Sequence, residues 1–391
     1  MRSAASIATW FIVVSVAALF AAAPAWPQSP PPAPSPAAIA DYQQKLAQYE
    51  QIHGAFERID NTYWDEVAAK RRIRNAKHRS HETIALADYV LTQPPVYSGP
   101  PKPVSPFPPP PPPPVPPKPE IPVVADFLQA AQEQWGFVPD QPASDSEFKR
   151  AYAKAARAAG LTQAQIVGVY AFETGGRGQY NSQSGVGTPR PNAHPISPAM
   201  GYNQLLSTNT VSLFGESGAR FLTLLTQKEN ALTGEQRAAF SRKFEILKRM
   251  IAYCRSLPHR WSEYDEIAKK TPKGWGIHAA VLDIDVGPLL QVQKLLDSVL
   301  FARAKGYMTP LTAAELELMN LTGDGNGIDM VTMPPDMRAQ VPTSNFFQPG
   351  GYARNPVAKR TKVVAGLIAE IQGHMNDNAG TPGAQEMAAA Y

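Results

Sequence analysis

A single cysteine, Cys254, stands among the 391 residues, so no disulfide can form within the chain even in an oxidising compartment. Stability has to come from a buried core, and a chain of this length can build one. Charge of one sign is missing too. The net charge is only +4, so nothing marks a nucleic-acid-binding surface. Seven histidines and one cysteine, without ligand spacing, leave no metal site to expect, and no cofactor motif is present. Alternating strand patterns with hairpin turns are lacking, which points away from a β fold. Only one long apolar run occurs, Ile7 to Ala23. It follows Arg2 and leads into Ala23-Pro24-Ala25, the layout of a secretory signal peptide over residues 1–25. An uncleaved N-terminal anchor is the other reading. Both make the chain exported, in the periplasm or elsewhere in the cell envelope.

Proline is what the sequence has in excess. Of its 40 prolines, seven lie between Pro24 and Pro36 and seventeen between Pro94 and Pro122. Locked φ angles and missing N–H groups disfavour helix and sheet there and favour an extended polyproline II rod. The tracts divide the chain into a linker at 26–37, a helical module at 38–92, a spacer at 93–122, a helical domain at 123–375 and a small, polar, disordered tail at 376–391. In the module, Ile39, Tyr42, Leu46, Tyr49, Ile52, Phe56, Ile59, Tyr63 and Val67 recur at helical spacing and form one apolar face. A shorter helical pattern carries Ile84 and Leu91. The long face is buried in a helical hairpin or by self-association as a coiled coil. Six cations between Lys70 and Arg79 read either as a solvated face or as a tether to a membrane or another anionic polymer.

Helical periodicity in the main domain covers Val123–Trp135, Glu147–Ala159, Gln163–Glu173, Gly218–Glu229, Glu235–Arg255, Ile277–Lys305 and Val357–His374, an all-α pattern. Thr162 and Gln165 have the spacing of a capping box. Within the 68 residues from Phe148 to Gly215 the only carboxylate is Glu173. It ends an apolar helix that Gly175-Gly176 stops. Apolar neighbours and the negative end of a helix both raise a carboxyl pKa, and a general acid needs that. The following stretch to Pro198 is rich in glycine, proline, amides and hydroxyls, the makings of a cleft loop.

Glu173-Thr174, followed by Gly201-Tyr202-Asn203-Gln204-Leu205, resembles the soluble lytic transglycosylase family of the lysozyme superfamily. There, a Glu-Ser pair ending a helix precedes a Gly-Leu-Met-Gln segment. The resemblance implies a lysozyme-like helical fold, peptidoglycan as substrate, and cleavage between MurNAc and GlcNAc that leaves a 1,6-anhydromuramic end. Glu173 is then the acid/base, Thr174 takes the place of Ser, and Gln204 and Gly201 match the Gln and Gly. Tyr202 and Asn203 depart from Leu-Met. For the family's Ala-Tyr-Asn-Ala-Gly segment the nearest counterpart is Leu318-Met319-Asn320, and Tyr352 beside Phe346-Phe347 could supply an aromatic wall. The expected substrate contacts are therefore Thr174, Tyr180, Met200, Gly201, Tyr202, Asn203, Gln204, Asn320 and Tyr352. Asp324-Gly325-Asn326-Gly327 lacks the later ligands of an EF-hand and reads as a turn.

Most glycosidases use two carboxylates. With no acid near Glu173 in sequence, a one-carboxylate transglycosylase is the leading expectation. A hydrolytic muramidase drawing on Asp283, Asp285 or Asp324 is the first alternative. A non-catalytic wall-binding or scaffold protein is the second.

Overall fold

The computed structural model describes residues 34–107, 120–186 and 194–391. The expected signal segment, most of the first proline tract, the centre of the second and part of the cleft loop lie outside the described residues. Helices dominate, and only isolated β-bridges occur among the described residues. None of these helices is long and apolar enough to cross a membrane. The described residues divide into two compact units. One holds those up to Gly54 with 98–107, and the other Ala55–Tyr97 with 120–391.

Helix α1 spans Pro36–Ser80 without a break. In the second unit its residues Tyr63 and Val67 are buried, whereas Ile59 of the same apolar stripe stays 61% exposed. The expected second helix around Ile84 and Leu91 is instead a single 3-10 turn, Leu86–Asp88, in extended chain. The cations of α1 bear on the difference, because this segment supplies partners to Lys70, Arg74 and Lys77. Arg74, only 1% exposed, donates to Asp88 O (3.0 Å) and Asn345 O (3.1 Å) and lies 4.4 Å above the Tyr89 ring. Arg71 caps the Asn345 and Phe347 carbonyls, Lys77 pairs with Asp88 at 2.7 Å, and His78 meets Asp329 at 2.6 Å. Lys70 bonds Ala87 O. Arg72 and Arg79 are the members of the cluster left exposed. The basic run therefore fastens the C-terminal part of α1 within the second unit.

The remaining helices are α2 (Val124–Trp135), α3 (Asp145–Ala158), α4 (Gln163–Thr174), α5 (Ser207–Glu216), α6 (Gly218–Ala231), α7 (Gly234–Ser256), α8 (Trp261–Lys270), α9 (Pro272–His278), α10 (Gly287–Ala304), α11 (Ala313–Thr322), α12 (Asp324–Thr332), α13 (Pro335–Arg338), α14 (Pro349–Ala353), α15 (Pro356–Thr361), α16 (Val364–Ala379) and α17 (Pro382–Ala390). They surround two apolar cores. One is built on α3, α4, α10–α12, α16 and α17, the other on α2 and α5–α9.

Four further expectations need correction. The helix expected over Ile277–Lys305 is interrupted, because Asp283 accepts the N–H groups of Asp285 and Val286 and turns the chain before α10. The helix expected over Val357–His374 breaks at Lys362, whose φ is +61°. The tail is not disordered. Thr381 caps α17, Pro382 starts it, Ala384 and Met387 are buried, and Tyr391 donates to Leu161 O at 2.7 Å. Asp324 also begins α12 rather than a loop turn, and accepts a bond from Ser298 Oγ at 2.7 Å.

Candidate active site

Helix α4 starts as its capping box requires. Thr162 Oγ1 accepts from Gln165 N (3.2 Å) and Gln165 Oε1 accepts from Thr162 N (2.8 Å). The helix ends at Gly175, whose φ of +61° suits a left-handed cap. Glu173 therefore sits in the last turn, at the wall of a cleft of about 750 Å³. Thr174, Arg177, Ser182, Gln183, Gln204 and Asn378 share that wall. A second hollow of about 470 Å³ continues it past Arg177, Ser182 and Gln183.

The Gly201–Leu205 segment forms a tight turn at the rim. Met200 and Leu205 exchange backbone bonds of 3.0 and 2.9 Å, and Gln183 bridges to Met200. Gly201 has φ +80°, and a Cβ there would come within 2.6 Å of the Gln291 amide. Gln204 holds φ +41°, a rare value for a residue with a side chain. Its Nε2 donates to Gly201 O (2.8 Å) and Ser182 O (3.2 Å), which leaves the amide oxygen to accept from a ligand. His278 anchors the far end of the loop through Pro198 O at 2.8 Å, and burial lowers its pKa to about 4.

Glu173 Oε1 accepts from Asn320 Nδ2 at 3.0 Å. The same Nδ2 lies 3.3 Å from Glu317 Oε1, one turn earlier on α11. Close packing of α11 on α4 makes this meeting possible, because a Cβ on Gly168 would sit 2.6 Å from Ala313 Cβ. Burial pushes the Glu173 carboxyl up to about 7, while hydrogen bonds from Glu317 and Asn320 and the charge of Lys294 act against that rise. Burial, followed by the facing Glu173, drives Glu317 well above the ordinary range. Glu317 is fully buried, whereas Glu173 keeps accessible surface on the cleft.

Of the residues singled out from sequence, Glu173, Thr174 and Gln204 line the cleft, and Asn320 touches Glu173. Thr174 Oγ1 donates back to Tyr170 O at 2.6 Å. Met200, Tyr202 and Asn203 lie in the core beneath the turn, at most 2% exposed. Tyr202 donates to Asp145 Oδ1 (2.8 Å), and Asn203 bonds Gln291 and Tyr152, so their polar groups bolt the turn to α3 and α10. Tyr180 stacks on Phe148 at 5.3 Å and donates to Gln141. Tyr352 packs edge-on against Trp64, away from the cleft, and Phe346 is buried in the core.

Asp283 and Asp285 surround Lys243, and Asp324 holds Ser298, so none of the three distant acids faces Glu173. The acid that does, Glu317, lies between Leu316 and Leu318, but with Glu315 two residues earlier it lacks the isolation in sequence that picks out Glu173. Thr312 and Glu315 mark the start of that helix as a capping box. Asn378, from the supposed tail, gave no signal.

No family model, curated protein or solved structure matches the chain.

Proposed function

We propose that the chain is an exported lytic transglycosylase with a lysozyme-like catalytic domain, cleaving peptidoglycan glycan strands with Glu173 as its acid/base. The observation that carries this reading is a half-buried carboxyl at a polar cleft, its pKa raised by burial to about 7, whose one close acidic neighbour among the described residues is buried behind it. Two-carboxylate glycosidases place their acids on opposite sides of the scissile bond, about 5 Å or more apart. Glu317 lies within hydrogen-bonding reach of Glu173 and is closed off from the cleft, so it suits neither a nucleophile nor a water-activating base.

In the first half of the reaction Glu173 gives its proton to the bridging oxygen as the bond from that oxygen to C1 of the muramic acid breaks. The substrate's N-acetyl group stabilises the positive centre. In the second half the Glu173 carboxylate takes the proton of the C6 hydroxyl as the C6 oxygen bonds C1. Atoms balance without water, and Glu173 returns to its acid form. The cleft offers the amide of Gln204, the hydroxyl of Ser182 and the amide of Asn378 to the sugar, and Arg177 to any carboxylate on it.

The test is digestion of purified peptidoglycan followed by mass spectrometry of the fragments. Anhydro ends are expected. Ends heavier by one water reassign the protein as a muramidase, and no release by the wild-type protein leaves a wall-binding role.

A further inference from the structure

Glu317 has no part in the chemistry above, yet a single amide ties it to the acid that does. Asn320 Nδ2 spans Glu173 Oε1 at 3.0 Å and Glu317 Oε1 at 3.3 Å. The other oxygen, Glu317 Oε2, is buried, and among the described residues no donor is offered to it. An ionised Glu317 would strand that charged oxygen away from water, facing a second carboxyl. A protonated Glu317 turns the same side chain into a donor, with Glu173 as the acceptor in reach.

We propose that Glu317 is a positioning residue that stays protonated throughout the reaction and donates a hydrogen bond to Glu173 whenever Glu173 has given up its proton. The proposal rests on Glu173 being the acid/base.

Few other charges bear on the pair. Lys294 reaches both acids from α10, and Tyr152 faces Glu317 from α3. On α12, Asp324 is held by Ser298 and Asp329 by His78. On α16, Glu370 pairs with Arg360, His374 packs on Phe172, and Asp377 is exposed. A neutral donor at Glu317 therefore decides how readily Glu173 becomes a carboxylate. Without it, burial alone would hold the Glu173 proton so tightly that the second, proton-accepting half of the reaction would slow.

Two variants of the full chain and two readouts test this. One readout is the pH dependence of fragment release from peptidoglycan. The other is the titration of glutamate side-chain carboxyls by carbon-13 NMR. In E317Q the shape and an N–H donor remain, so the rate is expected within about threefold of wild type and the alkaline limb of the profile stays in place. In E317L the donor is gone, and the alkaline limb is expected to move up by about one pH unit with a rate loss of about tenfold. An unmoved limb in E317L overturns the proposal, as does an equal displacement in both variants. In the wild-type protein the Glu317 carboxyl carbon is expected to stay at its protonated position throughout the range in which the Glu173 signal titrates, and an ionised Glu317 signal in that range overturns it as well. That titration needs no catalysis, so it still decides if the wild-type protein cleaves nothing and the proposed activity itself falls. It also decides alone if circular dichroism shows E317L unfolded.

Discussion

Two clusters of acids in the second unit, one around Lys243 and one at the cleft, resolve their charge in opposite ways. Around Lys243, Asp140, Asp283 and Asp285 lie 2.6, 3.0 and 2.6 Å from Nζ. Burial pushes Asp283 up, but Lys243 opposes it, and the N–H groups of Asp140, Asp285 and Val286 also point at its oxygens. No acceptor is left for a carboxyl proton, so Asp283 is held as a carboxylate. Burial also raises Asp285, yet Lys243 and Lys228 outweigh it and hold it below the ordinary value. At the cleft, Glu173 and Glu317 have one shared amide and the more distant Lys294. Protons must do there what a lysine does in the other cluster. A paired charge stabilises a fold in one state, whereas a shared proton near neutrality leaves a group that can give and take.

The largest effect expected from this contrast is on activity. E173Q keeps the bond from Asn320 and the fold, but it has no proton to give, so fragment release should fall by about a thousandfold or more. Normal circular dichroism with lost release supports the reading, and unchanged release removes Glu173 from the chemistry. At the other cluster the loss should be one of stability. K243M leaves the buried Asp283 without its cation and Asp285 with Lys228 alone, and removing one partner of a buried pair costs about 3–5 kcal/mol. Urea denaturation measures it, and a cost below about 1 kcal/mol would show that water rather than Lys243 solvates these acids.

The sequence made these two clusters unequally visible. Local signals carried well. The capping box at Thr162 fixed the start of α4, and Gly175-Gly176 its end, because both depend on neighbours within a few residues. The pairing of Glu173 with Glu317 depends on α11 lying against α4 at Gly168, and no local pattern reports such an approach. Judging acids by their distance along the chain therefore passes over Glu317. Tyr202 and Asn203 were misplaced for a related reason: polar residues in a cleft-forming turn look exposed until the bonds to Asp145 and Gln291 are seen. The tail shows composition overruled by position. Small residues read as disorder, but Thr381-Pro382 is a helix start, and Asn378 reaches the cleft.

A third prediction uses pH to separate the clusters. In the unfolded chain Glu173 releases its proton near 4.5, whereas in the folded state it keeps it to about 7. The folded state binds more protons in that window, so stability falls as pH rises through it and is level above. At 1.36 kcal/mol per pH unit, discounted for the access Glu173 keeps to the cleft, the loss is about 2 kcal/mol. E173Q has no such proton to lose. It should be more stable than wild type by about that amount at pH 8 and equal to it near pH 4.5. Denaturant midpoints at the two pH values check this, and a difference that does not change with pH would mean that Glu173 titrates as it does in the unfolded chain.

The smallest effect is the most specific to how the cleft pair is assembled. In G168A the new methyl would meet Ala313 Cβ at 2.6 Å and Met375 Sδ at 3.1 Å, so α11 and α16 must move away from α4. Overpacking of this kind costs about 1–2 kcal/mol. Gly373, half-buried on α16, has nothing within 4 Å of an added Cβ. G373A should therefore gain up to about 1 kcal/mol from helix propensity. If the Asn320 bridge depends on the closeness of α11, G168A should lose fragment release by about tenfold under conditions where the protein remains folded, because small misplacements at a reacting group are amplified in the rate. A G168A protein that is destabilised yet fully active would show that Glu173 works without its contact to α11, and the difference between the clusters would then lie in burial alone.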